Sequence, residues 1–205
     1  MREHSQSPSA VASAVRLLLV APPGAGKGTQ ATLLAGHYGI AHLSSGEVLR
    51  QEVAAGTKIG LVVADYLGRG DLAPDELVIE VLATHILDAA GKGGYVLDGF
   101  PRTLRQAEEA FRVAKQLEGV ELQAVIHLVV SREELLRRVE ARAQTEGRSD
   151  DTKAVFVHRL DVFDAETEPL LGFYAARGLV IDIHGEQPVD KVFSDIVDAV
   201  DRLRL

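Results

Sequence analysis

Five short stretches of the chain are apolar with little interruption: VRLLLV at 15–20, IAHLS at 40–44, GYVLD at 94–98, AVIHLVV at 124–130 and LVIDI at 179–183. A strand with one face in water alternates apolar and polar residues. Runs this continuous therefore predict strands buried on both faces, the situation of a parallel sheet covered by helices. Helix-like patterns fill the intervals, near 27–38, 46–56, 59–69, 75–90, 103–117, 132–144, 151–176 and 188–203. Pro74 and Pro101 stand just before two of them, where a helix start accepts proline. Strands alternating with helices predict an α/β domain, a three-layer doubly wound parallel five-stranded sheet, with ligands at the carboxyl ends of its strands.

A chain of 205 residues suits one domain with small insertions. Residues 1–14 read as a loose tail ahead of a single core domain at 15–205. The alternative, a secretion signal, is disfavoured because Arg16 interrupts the apolar run and a cut there would enter the first core strand. The net charge of −8 argues against a nucleic-acid partner, which calls for a basic face. No apolar stretch approaches the roughly 20 residues that a membrane crossing needs. The absence of cysteine excludes disulfides and cysteine-ligated zinc, and fits a reducing, cytoplasmic setting.

The first apolar run leads into APPGAGKGTQ at 21–30, a lysine in a glycine-rich turn before a helix pattern. In that context the backbone N–H groups of Gly24, Ala25, Gly26, Lys27, Gly28 and Thr29 would surround phosphate oxygens, aided by the positive end of the helix. Lys27 adds a mobile charge for the β- and γ-phosphates. The bland alternative is a glycine turn with a surface lysine. Two positions depart from the general pattern G-x-x-x-x-G-K-[ST], which has glycine at Ala21 and a hydroxyl at Gly28. At a positive φ, the β-carbon of Ala21 would cost about 1–2 kcal/mol; at a negative φ it is nearly free.

Further along, GYVLDGFPRTLRQ at 94–106 ends a strand on Asp98, beside that loop at the sheet edge. Such a carboxylate can orient Mg²⁺, directly or through water. Gly99 permits a tight exit, Arg102 can fork onto a phosphate, and Gln106, one helical turn on, offers an amide for a base edge. RRVEARAQTEGRSDDTKAVFVHRL at 137–160 carries more cations. Arg138 and Arg142, four apart, share a helix face; Arg148 follows a short loop, and Arg159 sits on the next helix. A solvated face of i,i+4 pairs is the plain alternative.

These stretches together resemble the adenylate kinases and their nucleoside monophosphate kinase relatives. PPGAGKGTQ matches that family's G-K-G-T loop, so Gly28 is ordinary there and Thr29 is the matching hydroxyl, while Ala21 replaces its usual glycine. D-G-F-P-R-x-x-x-Q resembles the segment whose arginine holds the AMP phosphate and whose glutamine contacts adenine. By that likeness Arg102, Gln106, Gly99 and Phe100 belong to AMP. HLSSGEVLRQEV at 42–53 is similar to the S-T-G-D-x-x-R acceptor segment, which assigns Ser45 and Arg50 to AMP, with Glu47 in place of aspartate. GDLAPDEL at 70–77 resembles G-x-L-V-x-D, which lines the pocket with Asp71, Leu72 and Ala73. The arginine run resembles a short form of the family's lid, with no room for a long insert. Arg138, Arg142 and Gln187 would serve ATP; Arg148 and Arg159 would reach AMP and the transferring phosphoryl. Lys27, Arg102, Arg138, Arg142, Arg148 and Arg159 are thereby implied as catalytic, with Asp98 holding Mg²⁺ through water and no zinc.

What the resemblance implies is ATP + AMP ⇌ 2 ADP by a monomer, with an NMP-binding insertion at 45–73 and a lid at 141–151. No general base is required, because the AMP phosphate is already an anionic nucleophile. None of the seven histidines is assigned such a role. UMP or CMP relatives usually carry asparagine after the arginine, where this chain has Thr103, which favours AMP. Two alternatives stay open: another monophosphate acceptor, or a nucleotide-binding regulator with weakened turnover, motivated by Ala21, Glu47 and Ala73.

Overall fold

In a computed structural model of the protein, all five apolar runs become strands of one parallel sheet: β1 (Val15–Val20), β2 (Ala41–Ser44), β3 (Gly94–Asp98), β4 (Ala124–Val129) and β5 (Val180–His184). Their order across the sheet is β2-β3-β1-β4-β5. The structure describes residues 14–117, 119–143 and 153–203. Among these lie α1 (Lys27–Tyr38), α2 (Ser45–Ala54), α3 (Lys58–Arg69), α4 (Asp75–Gly91), α5 (Leu104–Ala114), α6 (Arg132–Ala143), α7 (Lys153–Val162), α8 (Pro169–Ala175) and α9 (Val189–Leu203). No helix among the described residues is long and apolar enough to cross a membrane.

The period-two alternation of a strand divides each central run between two cores. Leu17 and Leu19 of β1 face one side with Val96, Ile126 and Leu128, and pack against α1, α6, α7 and α9 through Leu34, Leu135, Leu160 and Ile196. Leu18 and Val20 face the other side with Tyr95, Leu97 and Val125, against Ala89 of α4, Ala107 of α5 and Tyr174 of α8. Helices on both faces explain why VRLLLV has no polar position except Arg16. Burial of each leucine contributes roughly 1.5–3 kcal/mol, and a polar residue at any of these sites would forfeit it. Polar interruptions are commoner in the outer strands, with His42 in β2 and Asp182 and His184 in β5, and the inner strand β4 carries His127, which pairs with Asp182 at 2.8 Å.

Two helix expectations are corrected. The pattern at 151–176 is not one helix: α7 ends at Val162, a π-helical turn covers Phe163–Thr167, and α8 begins at Pro169. Proline lacks an N–H and crowds the carbonyl four residues back, so the chain widens ahead of it, and the Glu168 N–H bonds Phe163 O five residues away at 2.9 Å. Pro101 does not start a helix either. It follows a cis peptide bond, and α5 begins at Leu104 behind an N-cap on Thr103, whose Oγ1 accepts the Gln106 N–H at 3.1 Å. Pro74, by contrast, sits at the N-cap of α4 as expected.

A third, smaller cluster lies off the sheet. Leu49 of α2, Val63 of α3, Val78 and Leu82 of α4, Ala73 and Phe100 pack together. Phe100 is thus the apolar peg by which the turn after β3 holds the α2–α3 segment.

The question posed by Ala21 has a sign. Among the described residues only glycines adopt positive φ, so the Ala21 β-carbon meets no left-handed penalty, and the residue is buried in the first core. Ala21→Gly is expected to lower stability by about 0.5–1 kcal/mol, through extra freedom in the unfolded chain and a lost methyl contact. Urea denaturation of the two proteins measures this; a higher midpoint for the glycine variant would contradict it.

Candidate active site

The carboxyl ends of β1 and β3 are neighbours, with Leu19 paired to Asp98. The loop after β1 therefore rises beside the turn after β3. Gly26 is the N-cap of α1 with φ 97°, and no side chain caps the helix. Its first N–H groups are left pointing into the loop, the arrangement that receives an anion. Lys27 begins α1 and folds back, Nζ donating to Ala21 O at 2.7 Å and to Pro22 O at 3.3 Å. Burial pushes its ammonium down to about 8; Asp98 opposes that shift and Arg102 adds to it. Gly28 and Thr29 lie exposed in the first turn. A β-carbon at Gly28 would stand 3.8 Å from Asp98 Oδ2, so the glycine leaves space between the helix start and that carboxylate.

The turn after β3 is organised by one carbonyl. Gly99 O accepts Arg102 Nε–H at 2.7 Å and the Ser45 hydroxyl at 2.5 Å. Gly99 has φ 80°, and a β-carbon there would lie 2.7 Å from both Arg102 Nη2 and Ser45 Oγ. Only glycine satisfies both the angle and the approach. Arg50 arrives from α2: a β-carbon on Gly46 would be 3.3 Å from Arg50 Nη1 and 3.7 Å from Arg102 Nη2. Arg159 arrives from α7, its Cγ packed against Gly70. Burial, together with the like charges of Arg159 and Arg50, loosens the Arg102 proton, and Asp98 opposes this; a guanidinium stays charged regardless.

Lys27, Arg50, Arg102 and Arg159 thus line one cleft of about 200 Å³, together with Asp71, Leu72 and Gly99. These seven sequence-nominated residues come from separate parts of the chain. The cleft also takes Leu67, Phe163 and Thr167, which sequence reasoning missed; the last two belong to the π-helical turn. A larger cavity of about 350 Å³ lies behind Phe100 and Pro101, lined mainly by apolar residues such as Ile86, Leu97, Phe111 and Leu122. It has none of the converging cations, and its arginine, Arg177, is stacked on Phe173 at 3.6 Å.

The other nominated residues are placed differently. Ala73 and Phe100 are buried in the third cluster. Gln106 is 2% exposed, with its amide held by Asp75 and by the Arg102 N–H. The Asp71 carboxylate is taken by Arg69 at 2.8 Å and His158 at 2.7 Å, which hold it below the usual carboxylate range. Arg138 clips the phosphate loop to the turn after β5, with Nη2 donating to Gly185 O at 2.9 Å and Nη1 reaching Ala25 O at 3.4 Å. Its Nε donates to Glu134, whose carboxyl Arg137 and Arg138 hold down at about 2. The Gln187 amide donates to His184 O and Asp195. Arg142 lies on α6, and Arg148 lies outside the described residues.

Two histidines reach the site. His158 braces Asp71. His42 of β2 has Nε2 3.9 Å from Asp98 Oδ2, buried and without a hydrogen-bond partner among the described residues. The one hint to His42 is its place on the strand next to Asp98, which becomes legible only once strand order is known.

Residues 19–179 match the family model described as adenylate kinase. The chain is 44% identical to an adenylate kinase of Nitrobacter hamburgensis over 89% of this chain and 90% of that protein. It is 42% identical to one from Thermobifida fusca over 87% and 94%, and 39% identical to one from Leptospira biflexa over 90% and 99%.

The low-lying ammonium gives a direct check on the loop. Lys27 is expected to react with an amine-acylating reagent with a half-maximal rate near pH 8, well below an ordinary lysine. Mass spectrometry of the Lys27 peptide across pH 6–11 measures it, and a midpoint above pH 10 would contradict the desolvated placement.

Proposed function

The chain belongs to the adenylate kinase family and is a phosphotransferase, and we propose that its cleft carries out ATP + AMP ⇌ 2 ADP with the residues just described. The observation that carries the assignment of roles is the meeting of Lys27, Arg50, Arg102 and Arg159 in one cleft beside an uncapped helix N-terminus. Two nucleotide phosphate chains bring several negative charges, and such a concentration of cations at a desolvated sheet edge is what they would require.

In this reading the loop N–H groups of 24–29 and Lys27 hold the donor phosphates. Arg138 keeps the loop against the turn after β5. Arg50 and Arg102 hold the AMP phosphate, with Ser45 fixing the turn between them, and Arg159 lies on the side where the two nucleotides face each other. An oxygen of the AMP phosphate attacks the γ-phosphorus of ATP; the bond from that phosphorus to the β–γ bridging oxygen breaks, and ADP leaves with the electron pair. No proton moves at the reacting atoms, so no base is needed. Positioning and charge neutralisation carry the step. Segment 45–73, with its own apolar cluster, is the part that would close over AMP and keep water from the phosphoryl group.

The residues present suit Mg²⁺. It takes one or two carboxylates plus phosphate and water oxygens rather than a protein cage. The Asp98 carboxylate faces the space over Gly28, 3.8 Å from where a β-carbon there would stand, and no group of three or more His, Asp or Glu able to hold a metal is found among the described residues. Bound with ATP, Mg²⁺ would neutralise phosphate charge.

A coupled assay for ADP, with ATP as donor and AMP, UMP, CMP or GMP as acceptor, tests the reading. AMP is expected to give the highest kcat/KM, and a comparable value for UMP or CMP would overturn the AMP assignment. Lys27→Ala is expected to lose at least about 10²-fold in kcat with the melting temperature nearly unchanged, because it removes a charge that acts on the transferring group. Near-normal turnover would contradict the role of the loop.

A further inference from the structure

Asp75, the first residue of α4, faces the start of α5. Its Oδ1 accepts the Gln106 Nε2–H at 2.7 Å, and the Thr103 hydroxyl lies 3.4 and 3.3 Å from its two oxygens. At the other end of the same amide, Gln106 Oε1 accepts the backbone N–H of Arg102 at 2.7 Å. Thr103 Oγ1 also accepts the Gln106 backbone N–H, so its own hydrogen is the one that goes to Asp75. One residue further along, Glu76 pairs with Arg105, which keeps the starts of α4 and α5 together.

These bonds decide which way round the amide sits. A carboxylate only accepts and a backbone N–H only donates, so the NH₂ end must face Asp75 and the oxygen must face Arg102. Reversal would set two acceptors against each other at Asp75 and two donors at Arg102, at a site 2% exposed where water cannot repair either. Each end keeps unused capacity: one N–H and one oxygen lone pair. A glutamine amide with that remainder matches adenine, whose 6-amino group donates beside a ring nitrogen that accepts. A 6-oxo purine offers an acceptor at C6 beside an N–H at N1, the opposite order, and two acceptors on its other edge. Neither suits an amide whose orientation is locked.

We infer that Asp75 is a specificity-determining residue. By locking the Gln106 amide between its own carboxylate and the Arg102 N–H, it makes the acceptor site prefer 6-amino over 6-oxo purine monophosphates. Asp75 acts through Gln106 and is a positioning residue; the inference rests on the assignment of Gln106 to the acceptor base.

The test compares kcat/KM for AMP and IMP, with ATP as donor, in the parent chain, Asp75→Asn, Gln106→Leu and the double variant. Asparagine keeps the volume of aspartate but can donate as well as accept, so it removes the lock at the Asp75 end and leaves the Arg102 N–H as the one remaining constraint. Asp75→Asn is expected to narrow the AMP:IMP ratio by about tenfold or more, the size of one buried mispaired polar group. The change should appear in KM for the monophosphate, with KM for ATP unmoved. Gln106→Leu should collapse the ratio too, and Asp75→Asn should add nothing on that background. Equal losses for AMP and IMP in Asp75→Asn, with Gln106→Leu still collapsing the ratio, would overturn the inference and leave Asp75 a structural support. An unchanged ratio in Gln106→Leu would instead overturn the assignment of Gln106 to the base. If Asp75→Asn fails to fold, Asp75→Ser puts a hydroxyl that can donate or accept at the same end of the amide and should shift the ratio in the same direction; no shift would count against the lock.

Discussion

Cations gathered at the desolvated edge of a sheet repel one another, and this structure depends on how each is tethered. Backbone carbonyls at strand exits do most of it. Lys27 lies on Ala21 O and Pro22 O, Arg102 on Gly99 O, and Arg138 on Gly185 O with Glu134 behind it. A carbonyl offers partial negative charge without the full neutralisation that a carboxylate would impose. The cations stay oriented while their attraction for an anion is kept. Asp98 is the carboxylate whose field reaches both Lys27 and Arg102.

The sheet makes those carbonyls available. Parallel strands all release their chain at one edge, so the exits of β1, β3 and β5 provide Ala21, Gly99 and Gly185 within reach of Lys27 of α1, Arg102 of the turn before α5, and Arg138 of α6. Two apolar faces fix strand order and register rigidly, since a one-residue slip would turn Leu17 and Leu18 to the wrong cores. The third cluster is smaller and lies off the sheet. It ties α2 and α3 to Phe100 and to Val78 and Leu82 of α4, apart from the two cores that hold the sheet.

Much of this could be read from the chain. All five strands fall within a residue or two of their apolar runs, because burial on both faces writes itself as continuous hydrophobicity. The loop lysine, Asp98, Arg102 and the arginines of α2 and α7 were also legible, because glycine turns and strand-end charges have few other uses. The residues that escaped act across the fold. Asp75 was given no role of its own in the sequence, and it accepts from the Gln106 amide. His42 and His158 looked like ordinary histidines, yet one faces Asp98 across a strand pair and the other braces Asp71 from α7. Phe163 and Thr167 were hidden in a supposed continuous helix, although Pro169 marked the break.

The sequence by itself determined the class of structure, the phosphate loop and the pool of cations. These follow from local rules: which residues can sit in water, which turns need glycine, which side chains always carry charge. The tertiary structure decided what each group is paired with. It alone showed that Ala21 carries no backbone penalty, that Asp71 is spent on Arg69 and His158, and that the Gln106 amide has one allowed orientation. Pairing depends on distances between segments as far apart as residues 71 and 158, and no local pattern records them.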